Sequence, residues 1–284
     1  MLTTTYDMMQ KAYEGHYAIP AINTQGGTYD IIQACCMAAQ ELHSPMILAH
    51  YVNTGAYSGH DWFFETAKWC AEHVDVPVAI HLDHGPSFAC CMQMLQLGFT
   101  SIMFDGSMLP LEENAAATRE VSKVCRAFHV PLETEIGELA RLDDKGQISG
   151  ASNIANPEVV RQYLSLCSPD SLAVGIGNAH GFYKGPVDIH VEVLEQCREF
   201  TDIPFVLHGC TGMDEALIRR SVDAGVAKIN FGTQIRTNFV NYLKQGMDEG
   251  RDQGHAWKLS QYAEGRLRED IKDIIRLAGS EGKV

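Results

Sequence analysis

The sequence has no long apolar run and no segment with the features of a secretion signal. A membrane-spanning helix needs about 20 consecutive apolar residues, and no stretch of this chain approaches that length. The opening segment MLTTTYDMMQKAYEG lacks the positively charged start and the apolar core of a signal peptide. We therefore expect a cytoplasmic protein that has no membrane as a partner.

Positive charge is also scarce, since 22 lysines and arginines stand against 36 aspartates and glutamates, for a net charge of −14. Such a balance excludes broad electrostatic binding to nucleic acid or to an anionic lipid surface. It still allows a small phosphorylated ligand, which backbone N–H groups, a metal ion or a few placed cations can bind. The partner we expect is therefore a small molecule and not a nucleic acid.

The nine cysteines show no paired CxxC spacing, so the sequence lacks the pattern of a structural zinc module or a redox site. Eight of them lie among apolar residues in segments with helical periodicity, where a reduced thiol packs like a small apolar side chain. Cys210 differs, because it follows His208 and Gly209 in a candidate functional loop.

The sequence does contain a regular alternation of short apolar runs with helical segments. Runs this short, rich in apolar and β-branched residues, are typical of strands that are buried on both faces. Eight strands are predicted, at Tyr17–Asn23, Met46–His50, Val76–Leu82, Ser101–Phe104, Val130–Glu135, Ser171–Gly175, Ile203–Leu207 and Ala227–Phe231.

The segments between these strands carry helix signals, such as the N-cap Asn156 followed by Pro157, and Gly98 at a helix end. Eight alternations favour an α/β fold of the (β/α)8 TIM-barrel type, although an open doubly wound sheet alternates in the same way. The stretch Gln234–Val284 predicts extra C-terminal helices. Since neither a repeat nor a low-complexity linker interrupts the chain, we expect residues 1–284 to form a single domain.

Polar side chains stand at the ends of nearly all the predicted strands. In barrel enzymes, catalytic groups lie where strands end and the following loops begin. The residues at these ends are Asn23, Asp83, His84, Asp105, Glu133, Glu135, His180, His208, Asn230, Gly232 and Thr233.

Three of these residues are histidines, His84, His180 and His208, on the third, sixth and seventh strands. Zinc binds neutral imidazole nitrogen well, and a catalytic zinc ion keeps one position open for substrate. A single such histidine is more often a hydrogen-bonded structural residue, but three at equivalent positions favour a metal site. His81, two residues before Asp83, is predicted to be packed or to support the ligands.

Three glycine-rich turns, GNAHG, HGCTG and NFGT, follow the last three strands. Glycine lets the backbone approach a ligand closely, and Thr211, Asn230 and Thr233 offer donors to phosphate oxygens. One such turn is weak evidence. Three on neighbouring late strands predict a phosphate site, because these strands often bind phosphate in barrel enzymes.

At these residues the sequence resembles the class II, metal-dependent ketose-bisphosphate aldolases, in particular the tagatose- and fructose-1,6-bisphosphate branch. The ordered combination of HLDHG, GNAHG and LHG is more specific than any one of these motifs. The resemblance covers nearly the whole chain, through YAIPAIN, HLDHG, FDGS, LETEIGEL, SLAVGIGNAHG, LHGCTG, AKINFGT and GSEGK.

The resemblance implies a zinc-dependent lyase of carbohydrate metabolism that cleaves a ketose 1-phosphate or 1,6-bisphosphate to dihydroxyacetone phosphate and an aldehyde. It implies one zinc ion per subunit on His84, His180 and His208, a monovalent cation as a further cofactor, and a homodimer or homotetramer. Asp83 matches the acid/base residue that takes the C4 hydroxyl proton. The matching substrate- and phosphate-binding positions are Asn23, Gly181, Gly209, Cys210, Thr211, Asn230, Phe231, Gly232 and Thr233.

Asp105 and Glu135 match carboxylates that lie near the metal in the family. They are predicted either to form an alternative metal position or to orient His84 and balance the charge of the cation. The sequence alone favours neither role.

The departures from the family concern the part of the site that would contact the aldehyde half. Ala140 and Arg141 replace a usual Gly-Gly pair, and Asp143 stands where a glutamate usually removes a proton from the three-carbon donor. We hypothesise that the substrate differs at its distal end, where Arg141 or Arg268 would bind an anion; a solvated Arg141 is the alternative. Further departures are His50, Tyr51, Met108 and Gln234.

Three other functions fit part of the pattern. A class I aldolase needs a Schiff-base lysine at a strand end, whereas Lys228 opens a strand and Lys184 lies in a loop. Another metal-dependent barrel enzyme acting on phosphorylated sugars would share the histidines. A non-catalytic accessory subunit of an aldolase complex would share the fold, but the presence of Asp83 with all three histidines favours a catalyst.

Overall fold

The computed structural model describes residues 1–137, 140–142, 148–149, 154–183 and 188–284, and only the backbone of 140–142 and 148–149. The strands are β1 (Ile19–Asn23), β2 (Met46–Tyr51), β3 (Val78–Gly85), β4 (Ser101–Phe104), β5 (Leu132–Ile136), β6 (Ala140–Leu142), β7 (Ile148–Ser149), β8 (Ser171–Val174), β9 (Ala179–His180), β10 (Phe205–Leu207) and β11 (Val226–Phe231). The helices are α1 (Thr5–Glu14), α2 (Tyr29–Glu41), α3 (Gly55–Ser58), α4 (His60–Glu72), α5 (Phe88–Leu97), α6 (Leu111–Ala127), α7 (Pro157–Leu166), α8 (Val191–Arg198), α9 (Glu215–Asp223), α10 (Thr233–Asp248) and α11 (Ala256–Ala278).

Eight parallel strands close into a barrel in the order β1-β11-β10-β8-β5-β4-β3-β2. The barrel closes at β1, because Ala21 pairs both with Asn230 of β11 and with Ile47 of β2. Each of the eight predicted strands coincides with one of these, within a few residues at either end. The predicted (β/α)8 barrel is confirmed, and the open doubly wound sheet is wrong.

The third strand is longer than predicted, since β3 continues past Leu82 to Gly85. Polar residues at positions 83 and 84 interrupt the apolar run that marks the strand in the sequence. The pairing of β3 with β4 is irregular between Leu82 and Gly85, and His84 has a φ of 53°. That conformation favours glycine and costs a residue with a side chain about 1–3 kcal/mol, and such strain concentrates at functional sites.

A second, small sheet lies beside the barrel and was not predicted. It pairs β6 antiparallel to β7 and parallel to β9, so the backbone of Arg141 lies opposite that of His180. Strands of two or three residues show no periodic pattern, so the sequence gives no signal for them.

An apolar cluster joins α1 to the strands of the barrel. Alanine, valine and isoleucine side chains from six strands, β1, β2, β3, β8, β10 and β11, pack together, and residues of α1 pack against them. A larger apolar layer lies between the strands and the outer helices. The cluster that includes α1 consists of Met8, Met9, Ala12, Tyr17, Ile19, Ala21, Ile47, Ala79, Ala173, Val206 and Ala227.

Several local predictions are also confirmed. The side chain of Asn156 accepts a hydrogen bond from the backbone N–H of Glu158, and α7 begins at Pro157. Gly98 ends α5 in the left-handed conformation, with a φ of 103°. The C-terminal stretch forms α10 and α11, and all nine cysteines are free, with only Cys90 partly exposed.

Crossing a bilayer needs a long, apolar helix, and none of those in the described ranges meets that requirement.

Candidate active site

Polar side chains converge at the carboxyl end of the barrel strands, around a cavity of about 760 Å³. Parallel strands in a closed barrel all end at the same rim, so residues far apart in sequence meet there. The groups at the centre are Asp83 and His84 on β3, Asp105 after β4, Glu135 on β5, His180 on β9, His208 after β10 and Asn230 on β11.

The imidazoles of His84, His180 and His208 are close enough to share one metal ion, since a nitrogen from each lies within 4.8 Å of the others. Two of these rings present a buried nitrogen with no hydrogen-bond partner among the described residues, Nε2 of His84 and Nδ1 of His208. A buried polar atom without a partner costs free energy, so two such atoms at one place indicate that a ligand binds there. Three imidazoles that converge on one point are a donor set that suits zinc.

The ring of His84 is oriented by Asp105. Nδ1 of His84 lies 2.8 Å from Oδ2 of Asp105, while the backbone N–H and the hydroxyl of Ser107 donate to Oδ1. Although burial alone would raise it, the hydrogen bonds from His84 and Ser107 hold the pKa of Asp105 well below its usual value. A carboxylate that accepts from Nδ1–H leaves Nε2 of His84 facing the other two histidines.

A second group, His84 with Asp105 and Glu135, could also hold a metal ion. The carboxylates of Asp105 and Glu135 face Nδ1 of His84, at 2.8 and 3.7 Å, and not its Nε2. An ion bound among them would therefore replace the hydrogen bond between His84 and Asp105. The geometry favours the orienting role for Asp105 and the metal position among the three imidazoles.

Protonation of His84 competes with metal binding at Nε2. Burial opposes the charged ring, but the carboxylates of Asp83, Asp105 and Glu135 outweigh it and raise the pKa of His84 to about 9. The same negative charges that favour a proton on this ring also favour a divalent cation beside it.

His208 has the opposite tendency. Burial, reinforced by the positive charges of His84 and Lys228, lowers the pKa of His208 well below its usual value. Its Nε2 lies 3.0 Å from Oε1 of Glu133, and its Nδ1 is 3.9 Å from Oδ1 of Asp83. A neutral ring with one nitrogen engaged and the other available is the form in which histidine binds a metal.

Asp83 lies beside these rings and is only 6% exposed. The side-chain amide of Asn230 donates to its Oδ1 at 3.2 Å. Burial would raise the pKa of Asp83, but the positive charges of His84 and Lys228 lower it below its usual value. The carboxylate is therefore ionised and able to accept a proton.

The predicted phosphate-binding residues form one wall of the cavity. Position 209 requires glycine, because its φ is 69° and a Cβ atom there would lie 2.4 Å from the carbonyl oxygen of Ala179. The backbone N–H of Gln234 donates to the hydroxyl of Thr211, which joins the HGCTG turn to the start of α10. The predicted residues that line the wall are Asn23, Gly181, Gly209, Thr211, Asn230, Phe231, Gly232 and Thr233.

Cys210 does not reach the cavity, so its predicted role in phosphate binding needs correction. It is buried, its thiol donates to the carbonyl of Leu207, and its backbone N–H donates to the carbonyl of Asn230. Both donors are used within the fold, so neither is available to a phosphate.

Arg236 was missed by sequence reasoning. Among the described residues that line the cavity, it is the only lysine or arginine. It lies three positions after Thr233 in α10, and residues three apart share one face of a helix. That spacing in NFGTQIR was the signal available in the sequence.

The outer part of the cavity contains several residues that depart from the family. Tyr51 lines it and packs edge-to-face against His84, with ring centroids 6.4 Å apart. Met108, 73% exposed, and Leu109 form the rim. His50 lies beneath, stacked on Phe63, and does not line the cavity.

None of the residues predicted for the distal end is among the described residues that line the cavity. Asp143 and the side chain of Arg141 lie outside the described residues, although the backbone of Arg141 pairs with His180. Arg268 lies on α11, away from the cavity of this chain, with its guanidinium bonded to Glu264 and Glu41. Their roles remain predictions.

Comparisons with known proteins agree with this geometry. Residues 3–283 match the family described as Fructose-bisphosphate aldolase class-II. The chain belongs to that family. It is 32% identical over 284 residues to the D-tagatose-1,6-bisphosphate aldolase subunit GatY of Klebsiella oxytoca, covering all of this chain and 99% of that protein.

Solved structures of other aldolases are similar to this class II aldolase along its whole length. The YdjI aldolase of Escherichia coli K12 is 27% identical, with a TM-score of 0.88, covering 100% of this chain and 99% of that one. A putative fructose-1,6-bisphosphate aldolase of Coccidioides immitis is 26% identical, with a TM-score of 0.85, covering 98% and 96%. The protein is an aldehyde-lyase of this family, as predicted.

We expect a His180→Ala substitution to remove most bound zinc, because two imidazoles hold the ion far less tightly than three. Zinc content per chain, measured by elemental analysis after dialysis, checks this. His190→Ala is the matched control, since His190 pairs with Glu192 and Asp188 on the outside. Full zinc content in the His180 variant would contradict the assignment.

Proposed function

We propose that this class II aldolase reversibly cleaves a ketose 1-phosphate or 1,6-bisphosphate, of the tagatose or fructose type or with a different distal end. The products are dihydroxyacetone phosphate and an aldehyde. The observation that carries the proposal is the meeting of Asp83 with three metal-competent imidazoles beside a glycine-rich wall. The names of the similar proteins, which include a tagatose- and a fructose-bisphosphate aldolase, support this substrate class.

One zinc ion per subunit would be held by Nε2 of His84, Nδ1 of His208 and a nitrogen of His180. When bound, it supplies positive charge that stabilises the negative charge developing on the oxygen atoms of the three-carbon half. The chain contributes Asp105, which keeps Nε2 of His84 directed at the site. A monovalent cation as a second cofactor, a cytoplasmic location and a homodimer or homotetramer remain predictions.

Asp83 would be the base in the cleavage direction. Its carboxylate takes the proton of the C4 hydroxyl while the C3–C4 bond breaks, and the bond electrons stay with the three-carbon half. In the direction of synthesis it returns that proton to the new hydroxyl. The hydrogen bond from Asn230 fixes the carboxylate, and burial excludes water from competing for it.

The phosphate of the three-carbon half would lie against Gly181, Gly209 and Thr233. The start of α10 lies there, and the amino end of a helix attracts anions through its free N–H groups and its dipole. Arg236 on the same helix adds positive charge, and no other lysine or arginine is among the described residues that line the cavity. Asp143 remains a candidate for removing a proton from this half.

A catalytic role fits better than that of a non-catalytic accessory subunit. An accessory subunit would have no need of orphaned imidazole nitrogens or of an ionised aspartate buried beside them. Each of these arrangements costs stability, so their presence favours chemistry at the site.

The proposal is tested by aldol cleavage with a panel that includes fructose 1,6-bisphosphate, tagatose 1,6-bisphosphate and fructose 1-phosphate. Cleavage of at least one member should be lost in EDTA and return with zinc, while borohydride should trap no substrate on the protein. Activity that survives EDTA, or borohydride trapping, would contradict a metal route. A high kcat/KM on either bisphosphate would remove the hypothesis of a different distal end.

An Asp83→Asn substitution should lower kcat by about 100- to 10,000-fold, because the amide cannot take the hydroxyl proton. Zinc content should stay at the level of the unmodified protein. Asp223→Asn, on the exposed side of α9, serves as the control for a lost surface carboxylate. Unchanged cleavage by the Asp83 variant would exclude this residue as the base.

An Arg236→Met substitution should raise KM for the phosphorylated ketose about 10- to 100-fold and change kcat little. The reason is the loss of a charge-assisted hydrogen bond to phosphate, worth about 1.5–3 kcal/mol. Arg220→Met removes a surface arginine paired with Glu195 and should leave KM unchanged. An unaltered KM in the Arg236 variant would refute the contact with phosphate.

A further inference from the structure

A continuous line of buried polar side chains crosses the barrel beneath the active site. The hydroxyl of Thr5 donates to Ser101, whose oxygen lies 2.8 Å from Nδ1 of His81. Nε2 of His81 lies 3.0 Å from Nζ of Lys228. Nζ of Lys228 lies 2.9 and 2.7 Å from the two oxygens of Glu133, and Oε1 of Glu133 lies 3.0 Å from Nε2 of His208.

The central pair of this line is fully enclosed, since Lys228 is 1% and Glu133 3% exposed. β11, which carries Lys228, does not neighbour β3 or β5 in the barrel, so these contacts span its interior. Replacing such a pair with apolar residues is often neutral or stabilising, so a buried ion pair is weak evidence for stability alone. A role in the active site, which lies above this ion pair, is the better explanation for its presence.

The hydrogen-bonding capacity of Lys228 determines the direction of every bond next to it. An ammonium group has three N–H donors and no acceptor. Lys228 has three acceptors in reach, Nε2 of His81 and the two oxygens of Glu133, so its donors are all used. Nε2 of His81 must accept, and its Nδ1–H therefore donates to Ser101.

The same reasoning fixes the proton on His208. The carboxylate of Glu133 can only accept, so the contact at 3.0 Å requires an N–H at Nε2 of His208. In a neutral ring the other nitrogen, Nδ1, then has its lone pair free. This is the buried nitrogen that has no partner within the described part of the chain, so it is the nitrogen of His208 left for a metal ion.

We propose that Lys228 and Glu133 are positioning residues, which hold His208 in the tautomer whose Nδ1 binds the metal ion. This inference rests on the proposed metal site. The two residues touch neither substrate nor metal; they act through the ring of His208. Lys228, which is too deep for a Schiff-base lysine, sets the orientation of Glu133, and Glu133 sets the tautomer of His208.

A Glu133→Gln substitution tests this because it keeps the shape and changes one acceptor into a donor. Lys228 can only donate, so the amide oxygen of the glutamine must face Lys228 and its NH₂ group must face His208. Nε2 of His208 then becomes an acceptor, and its proton moves to Nδ1, where it opposes the metal. We expect zinc affinity, measured on metal-free protein by competition with a chelator, to fall about 10- to 100-fold.

A Glu133→Gln, Lys228→Met double variant supplies the decisive comparison. Without the ammonium group the glutamine can turn its oxygen towards His208, so zinc affinity should recover most of the loss. Glu264→Gln is the matched control, since Glu264 is a largely buried carboxylate paired with Arg268 far from the metal. Its zinc affinity should equal that of the unmodified protein.

Nitrogen NMR of the histidine rings in metal-free protein reads the tautomer directly, with His208 assigned by a His208→Gln variant. The unmodified protein should carry the proton on Nε2 and the Glu133 variant on Nδ1. A proton on Nδ1 in the unmodified protein would overturn the inference even if no variant folds. So would unchanged zinc affinity in the Glu133 variant, or an equal loss in the double variant.

These experiments distinguish a failure of the proposed function from a failure of this inference. A protein that binds no zinc disproves the metal site, and the tautomer of His208 still decides whether Lys228 and Glu133 position the ring. If zinc binds equally well whichever tautomer His208 adopts, the proposed metal site stands and only the positioning role of Lys228 and Glu133 is disproved.

Discussion

Two buried imidazole nitrogens without partners in the described structure, on His84 and His208, are the feature around which the site is organised. An unpaired buried nitrogen costs free energy, and the ring would turn to pair it if it were free to do so. A hydrogen bond at the other nitrogen of each ring prevents this rotation. Asp105 does this for His84 and Glu133 does it for His208. The carboxylates also supply the negative charge that a divalent cation needs in a buried position.

The cavity has two parts that differ in how tightly the fold constrains them. The wall next to α10 is built from backbone turns, in which Gly209 leaves no room for a side chain. The opposite part is lined by side chains from the end of β2 and from the loop after β4, such as Tyr51 and Met108. The two parts of the cavity are therefore constrained differently, one by the backbone and the other by side chains.

Much of this arrangement could be predicted from the sequence, because a closed parallel barrel places every strand end at one rim. His84, His180 and His208 were therefore expected to meet, although they are far apart in the chain. The bonds at Lys228 could not be foreseen, since contact across the interior depends on strand order and tilt. Arg236 lies on a face of α10 and not at a strand end, so the strand-end pattern does not indicate it.

His180 is held in place differently from the other two histidines. It lies on β9, and β9 is paired with β6 in the small sheet, where the backbone of Arg141 lies opposite it. The backbone of β6 is thus joined to a residue of the candidate metal site. A substitution that shifts the backbone of β6 would therefore also move His180.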